Sequence, residues 1–332
     1  MTEIKMNQVK SADLKVPSLI LGCSGMGNLY HKLTNAEAIG IAEDAIKMGW
    51  RGFDVAPHYG ASLAELRLGL ALRNLNRDDF VLSTKVGRLL YPRKEAGLQN
   101  GEEFYDENPF NRVYDYSYDG IMRSYEDSLR RLGTRRIDIL YVHDIGTYAH
   151  GEGEEERKYF KTLCTSGFKA LEELKRNGDI KAYGLGVNET KIVMETLDYV
   201  DFDLVLLAQR YNLLNPNQDE LFAKCEKHNV SIIAAAVFAS GVLVKKSMAQ
   251  GHFEYGKITP EVFARVQEIN KICDKYNVPI GAVALQYPLR NKNVISVVCG
   301  VSSSSQVEKN WNWAHCDIPD GIWQDLAKIG IK

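Results

Sequence analysis

Four residues able to move protons or hold charge stand at or just beyond the ends of short apolar runs. Asp54 closes RGFD (51–54), Lys85 closes FVLSTK (80–85), and His143 lies near the end of RIDILYVHD (136–144). Tyr59 follows Asp54 by five residues, against Gly60. Each has a bland reading by itself: Asp54 as a helix cap or ion-pair partner, Lys85 as a surface or paired lysine, His143 as a satisfied half-buried histidine, Tyr59 as packing. Together they suit proton transfer at an oxygen. A tyrosine hydroxyl, with a free pKa of about 10, is a poor acid or base near neutrality. A neighbouring ammonium favours the phenolate and lowers that value. A carboxylate keeps the ammonium charged and in place, and a histidine orients a carbonyl or shares the proton. Such a set works in step with hydride transfer at the attached carbon. In this reading Tyr59 is the acid/base and Asp54 anchors the Lys85 that tunes it. Asn188, after IKAYGLGV (180–187), and Gln209, closing FDLVLLAQ (202–209), are polar groups at two further run ends.

Short apolar runs alternate with longer helical patterns along the chain. The runs are 18–23, 51–54, 80–85, 136–144, 180–187, 202–209, 231–237 and 293–300. Helical periodicity follows each of them. In the first helix Ala38, Ile41, Ala42, Ala45 and Ile46 share a face, with Asn35 as its cap. In the second, Ser62 is the expected cap, and Leu63, Leu66, Leu70 and Ala71 share a side. Gly133 and Gly178 mark helix stops at 117–133 and 168–178. The runs are nearly continuously apolar, as strands buried on both faces are. Eight such units without a linker predict an α/β fold: one (β/α)8 TIM barrel over 1–332, with long βα loops and its site at the C-terminal strand ends. An open doubly wound sheet is the competing fold, but the glycines of GCSGMG (22–27) have the wrong spacing for its phosphate-binding turn. Two connections, 88–116 and 144–166, exceed the usual length, and the first is rich in Tyr and Phe.

The motifs FDVAPHYG, STK, IDILYVHD and YGLGVNE resemble the aldo-keto reductase superfamily, and the resemblance covers nearly the whole chain. It implies the same barrel, a catalytic tetrad of Asp54, Tyr59, Lys85 and His143, and a nicotinamide dinucleotide bound without a Rossmann domain. By the same resemblance Gln209 and Asn188 contact the carboxamide, Asn310 contacts the adenine, and Ser240, Gly241, Gly300, Ser302 and Gln306 belong to the cofactor site. Glu189 departs from the family pattern. Ala235 replaces the family's stacking aromatic, with Phe238 as a substitute. Gly300 and Gln306 stand where NADP-preferring members carry basic residues, so NAD is the preferred cofactor and NADP a possible second, with Lys309 nearby. The run 113–151 looks most like the D-threo-aldose 1-dehydrogenase group. That implies oxidation of an aldose of the L-fucose, L-galactose or D-arabinose type to its lactone, with pyridoxal or another aldehyde as the alternative substrate.

Composition narrows the remaining classes. The chain has 332 residues, 45% hydrophobic and 25% charged, with a formal net charge of −2, so no basic surface for nucleic acid or an anionic membrane is expected. The longest apolar run, 231–244, is too short to span a bilayer. The N-terminus lacks an apolar signal core, and six scattered cysteines (23, 164, 225, 273, 299, 316) read as buried thiols in a reducing cytoplasm. Neither a disulfide framework nor a metal site is expected. A Schiff-base lysine at residue 85 and a non-catalytic nucleotide-binding subunit are the other classes weighed.

Overall fold

The computed structural model describes residues 4–94, 103–244, 252, 253 and 256–332. Its centre is a closed barrel of parallel strands: β1 Leu19–Gly22, β2 Gly52–Asp54, β3 Val81–Val86, β4 Ile139–His143, β5 Ala182–Val187, β6 Leu204–Ala208, β7 Ser231–Ala235 and β8 Val294–Gly300. Neighbours in space are neighbours in sequence, and β8 closes onto β1 through Val297–Leu19 to Gly300–Gly22. This is the predicted (β/α)8 barrel; the doubly wound alternative falls because the sheet has no edge.

Strand alternation explains why the runs read as continuously apolar. Ile20, Val81, Ile139, Tyr141, Leu204, Leu206 and Ile233 pack inside the barrel. Leu19, Leu21, Leu82, Leu140, Val142, Val205 and Ile232 pack outward against the helices. Each strand therefore buries both faces. The same period of two decides which polar side chains enter the barrel. Counting inward positions along β3 from Val81 reaches Ser83 and Lys85; along β4 from Ile139 it reaches His143. An antiparallel hairpin, Met6–Gln8 with Lys15–Pro17, lies at the other end, where Val9 and Val16 join the inner cluster.

Several local expectations need correction. Thr34, not Asn35, caps the first helix (Asn35–Met48), in a reciprocal capping box with Glu37; Asn35 Oδ1 accepts from Arg67 Nε at 2.9 Å. Ser62 makes no cap bond and has a left-handed φ of 75°. The second helix (Leu63–Leu72) splits its predicted apolar side: Leu66 is 41% and Leu70 58% exposed, while Ala71 lies in the core and Leu63 is half-buried. Buried polar partners set its phase. Glu65 accepts from Thr84 Oγ1 (2.8 Å) and Arg131 Nε (2.6 Å), and Arg67 donates to Met26 O and Asn28 Oδ1. The connection 88–116 holds a two-stranded hairpin, Arg88–Pro92 with Phe110–Tyr114. The connection 144–166 is mostly helical, with Thr147–His150, Glu154–Thr162 and a wide turn at Leu163–Gly167.

Candidate active site

Asp54, Lys85 and His143 meet at the C-terminal mouth of the barrel, with Tyr59 in the loop after β2. Lys85 Nζ is 2.8 Å from Asp54 Oδ2 and donates to Val55 O at 3.0 Å, while Ser83 Oγ donates to Asp54 Oδ1 at 2.8 Å. Asp54 is 3% and Lys85 2% exposed. Gly186 on β5 leaves room for the lysine stem: a Cβ there would lie 3.1 Å from Tyr141 Cβ and 3.5 Å from Lys85 Cε. Burial works against the ammonium, but Asp54 and Tyr59 outweigh it and raise the Lys85 pKa. A charged lysine is a poor Schiff-base nucleophile, so the aldolase reading loses its chemistry.

Lys85 Nζ lies 4.8 Å from the Tyr59 ring centroid, and its charge favours the phenolate. The expected downward pull of Lys85 on Tyr59 exists but does not win. Burial dominates, Asp54 adds to it, and the hydroxyl is pushed up to about 12. His143 is held well below the usual imidazole value by burial first and then by Arg88, Lys85 and His58. At neutral pH the mouth thus holds a protonated phenol, a charged lysine and a neutral imidazole. The Tyr59 and His143 rings are 6.1 Å apart at 87°.

The GCSGMG glycines have another task than a phosphate-binding turn. A Cβ on Gly27 would lie 2.6 Å from the Tyr59 carbonyl carbon, and one on Gly60 (φ 62°) would lie 2.4 Å from Gly27 O. Bare backbone on both sides lets the first βα loop press against the Tyr59 turn. The hairpin insert braces that turn from the other side. Arg112 donates to His58 O (2.9 Å), Asn108 N to Gly60 O (3.1 Å) and Asn108 Nδ2 to Ser62 Oγ (3.3 Å). Glu107, 3% exposed, accepts from Arg93 and Arg112. Phe104 stacks on Tyr59 at 6.2 Å and meets His58 edge-on at 5.3 Å.

Asn188 and Gln209 are buried at the ends of β5 and β6. Asn188 Nδ2 donates to Asp144 Oδ1 (3.2 Å), which leaves Asn188 Oδ1 buried without a partner; Gln209 Oε1 is in the same state. Two orphaned acceptors suit a primary amide, whose NH2 has two donors. Glu189 is occupied elsewhere, accepting from Thr147 Oγ1 (2.5 Å) and Tyr148 N (2.9 Å). Ala235 is buried, and the Phe238 ring packs on Trp313 at 5.7 Å, so the expected stacking substitute is engaged in packing. Ser240 and Gly241 follow β7 in left-handed conformations (φ 56° and 88°).

Gly300 ends β8 exposed, and a Cβ added to it would meet only Ser24 Oγ, at 3.9 Å. Ser303 caps the helix Ser304–Ala314, and Gln306 Oε1 accepts from Ser302 N (2.7 Å) and Ser302 Oγ (3.1 Å). The Ser304 side chain beside Asp44 holds its carboxyl below the usual range. Lys309 Nζ lies over the Trp313 ring at 4.7 Å, and Asn310 is 3% exposed.

Sequence reasoning missed Arg88 and Asp144 as site residues. Arg88 Nη2 donates to Asp144 Oδ2 at 2.7 Å, and that oxygen is 3.4 Å from His143 Nε2. The available signal was position alone: Arg88 is three residues past Lys85, and Asp144 directly follows His143.

The comparisons agree with this architecture. The chain is 38% identical to the pyridoxal 4-dehydrogenase of Microbacterium luteolum, over 96% of this chain and 95% of that one. It is also 38% identical to the D-threo-aldose 1-dehydrogenase of a Pseudomonas species, over 97% and 96%. Among solved structures, the holo form of aldo-keto reductase AKR11C1 from Bacillus halodurans superposes with a TM-score of 0.75 at 26% identity, covering 98% of this chain and 96% of that one. The Aldo/keto reductase family pattern matches residues 18–331. With that match spanning the barrel and the mouth just described, the chain belongs to the aldo/keto reductase family of oxidoreductases.

Proposed function

We propose that this oxidoreductase oxidises the anomeric carbon of an aldose to the lactone, with a nicotinamide dinucleotide as partner and Tyr59 as acid/base. The observation that carries the reading is the buried Asp54–Lys85 pair against Tyr59. Asp54 keeps Lys85 charged, and Lys85 offsets part of the burial that disfavours the Tyr59 phenolate. Tyr59 therefore takes the hydroxyl proton in oxidation and returns one in reduction, while His143 faces the same oxygen as a neutral hydrogen-bonding group. When bound, the nicotinamide accepts or returns the hydride at the carbon bearing that oxygen.

Asn188 Oδ1 and Gln209 Oε1 would accept from the carboxamide, and their unpartnered burial supports the fit. Asn310, Ser302 and the Ser240–Gly241 turn would contact the rest of the cofactor. NAD is the preferred form. Gln306 occupies Ser302 N–H, Asp44 places a carboxylate at Ser304, and Gly300 offers no charge, so a 2′-phosphate lacks charge-assisted partners there. Lys309 on Trp313 leaves NADP as a weaker second.

The likeness to a pyridoxal 4-dehydrogenase at the same identity favours pyridoxal as the alternative substrate. The experiment is reduced-nicotinamide absorbance with purified protein, NAD or NADP, and a panel of L-fucose, L-galactose, D-arabinose, D-glucose and pyridoxal. NADH growth with the first three sugars is the expected result. Growth with pyridoxal alone moves the substrate and keeps the mechanism; silence across the panel overturns the reading.

A further inference from the structure

Among the described residues, seven buried side-chain polar atoms lack a partner, and five belong to His58, Arg88, His143, Asn188 and Gln209. The cofactor amide accounts for Asn188 and Gln209. Arg88 remains unexplained. Its guanidinium has five N–H donors, yet it is 6% exposed and its side chain makes one hydrogen bond among the described residues, to Asp144. A buried group so under-satisfied calls for a missing partner.

Its surroundings define that partner. The Arg88 charge bears on both His58 and His143, so it stands beside the mouth. Its guanidinium lies over the Tyr114 ring at 5.2 Å. Asp144, 7% exposed and left-handed at φ 44°, accepts from Arg88 at one oxygen and from Asn188 at the other. Arg88 and Asp144 cancel in charge, which argues against a net anionic substituent. A hydroxyl suits them, because it accepts from a guanidinium and donates to a carboxylate at once. The reacting oxygen must lie within reach of Tyr59 and His143. Asp144 Oδ2 is 3.4 Å from His143 Nε2, so what meets the pair is the oxygen on the adjoining carbon.

We propose that Arg88 and Asp144 together bind the hydroxyl next to the reacting carbon and set the enzyme's demand for a hydroxylated substrate. The proposal rests on the aldose reading and adds to it the residues that enforce it.

The test compares kcat/KM for D-arabinose and 2-deoxy-D-arabinose in wild type, Arg88→Met, Arg88→Lys and Asp144→Asn. Wild type should favour the parent sugar by about tenfold to a hundredfold, the usual effect of charge-assisted hydrogen bonds. Arg88→Met should bring the ratio close to one, and Arg88→Lys should fall between. A purely structural role would lower both activities and leave the ratio unchanged, which overturns the proposal. Equal use of the two sugars by wild type overturns it as well, and that result needs no variant to fold. If wild type oxidises no aldose, the aldose reading fails and the proposal falls with it, because pyridoxal bears no hydroxyl on the ring carbon bonded to its reacting carbon.

Discussion

At the scale of single residues, Tyr59 carries the sharpest consequence. With its hydroxyl pushed up to about 12, it is protonated at neutral pH. In the proposed acid/base role, reduction uses that form directly, whereas oxidation needs the phenolate. We expect kcat/KM for oxidation to rise about tenfold per unit between about pH 7 and 10 while reduction stays flat. Removing the charge that draws the hydroxyl down, as in Lys85→Met, should cost oxidation on the order of a thousandfold. Steady-state rates in both directions across that range check both statements; a flat oxidation profile contradicts the first. Asp54, Lys85 and His143 were legible in the sequence because each breaks an apolar run at a strand end. Arg88 was not, because an arginine opening a long connection looks like any solvated arginine. Its partner Asp144 belongs to the next strand's loop, and only folding brings them to 2.7 Å.

At the scale of elements, the hairpin Arg88–Pro92/Phe110–Tyr114 acts as a brace. Glu107 is buried between two arginines, and one of them, Arg112, holds the carbonyl next to Tyr59. Glu107→Gln neutralises the buried carboxylate that both guanidiniums share and should destabilise the protein by about 3 kcal/mol. We expect kcat to fall while the dissociation constant for NAD changes little, because the brace touches the Tyr59 turn and not Asn188 or Gln209. Thermal melting, cofactor titration and turnover on the same preparation separate these effects. The sequence marked this connection as too long and too aromatic for an idle loop. It did not disclose the strand pairing, whose polar residues read as loop. The second helix shows the complementary limit. Its leucine spacing gave an apolar side, but buried partners for Glu65 and Arg67 turned Leu66 and Leu70 of that side to solvent.

At the scale of the whole molecule, the proposed cofactor preference joins distant segments: Asp44 from the first helix, Gly300 from β8 and Gln306 from the helix beyond it. Gly300→Lys with Gln306→Arg should raise NADP affinity by about tenfold to a hundredfold, since cations replace a bare backbone position and a neutral amide. An unchanged NAD/NADP ratio of dissociation constants would place the ribose elsewhere. Global stability also carries a signature of the mouth. His58 and His143 are both held neutral, well below the usual 6.5. Below that pH the unfolded chain takes up protons that the folded chain refuses. The stability these groups confer is complete above about 6.5 and is lost as pH falls, by about 1.4 kcal/mol per unit for each. Denaturant midpoints at pH 7.5 and 5.5 should show the fall, and His143→Gln should reduce it.

The sequence by itself determined the barrel, its eight strands and the strand ends that carry Asp54, Lys85 and His143. It could do so because burial on both strand faces leaves a local record in the chain, a short continuous apolar run that a polar residue closes at the mouth. Tertiary structure alone decided the balance of forces on Tyr59, the phase of the second helix, and the meeting of Arg88 with Asp144. These depend on burial and on partners from other strands, and neither is written in the spacing of neighbouring residues.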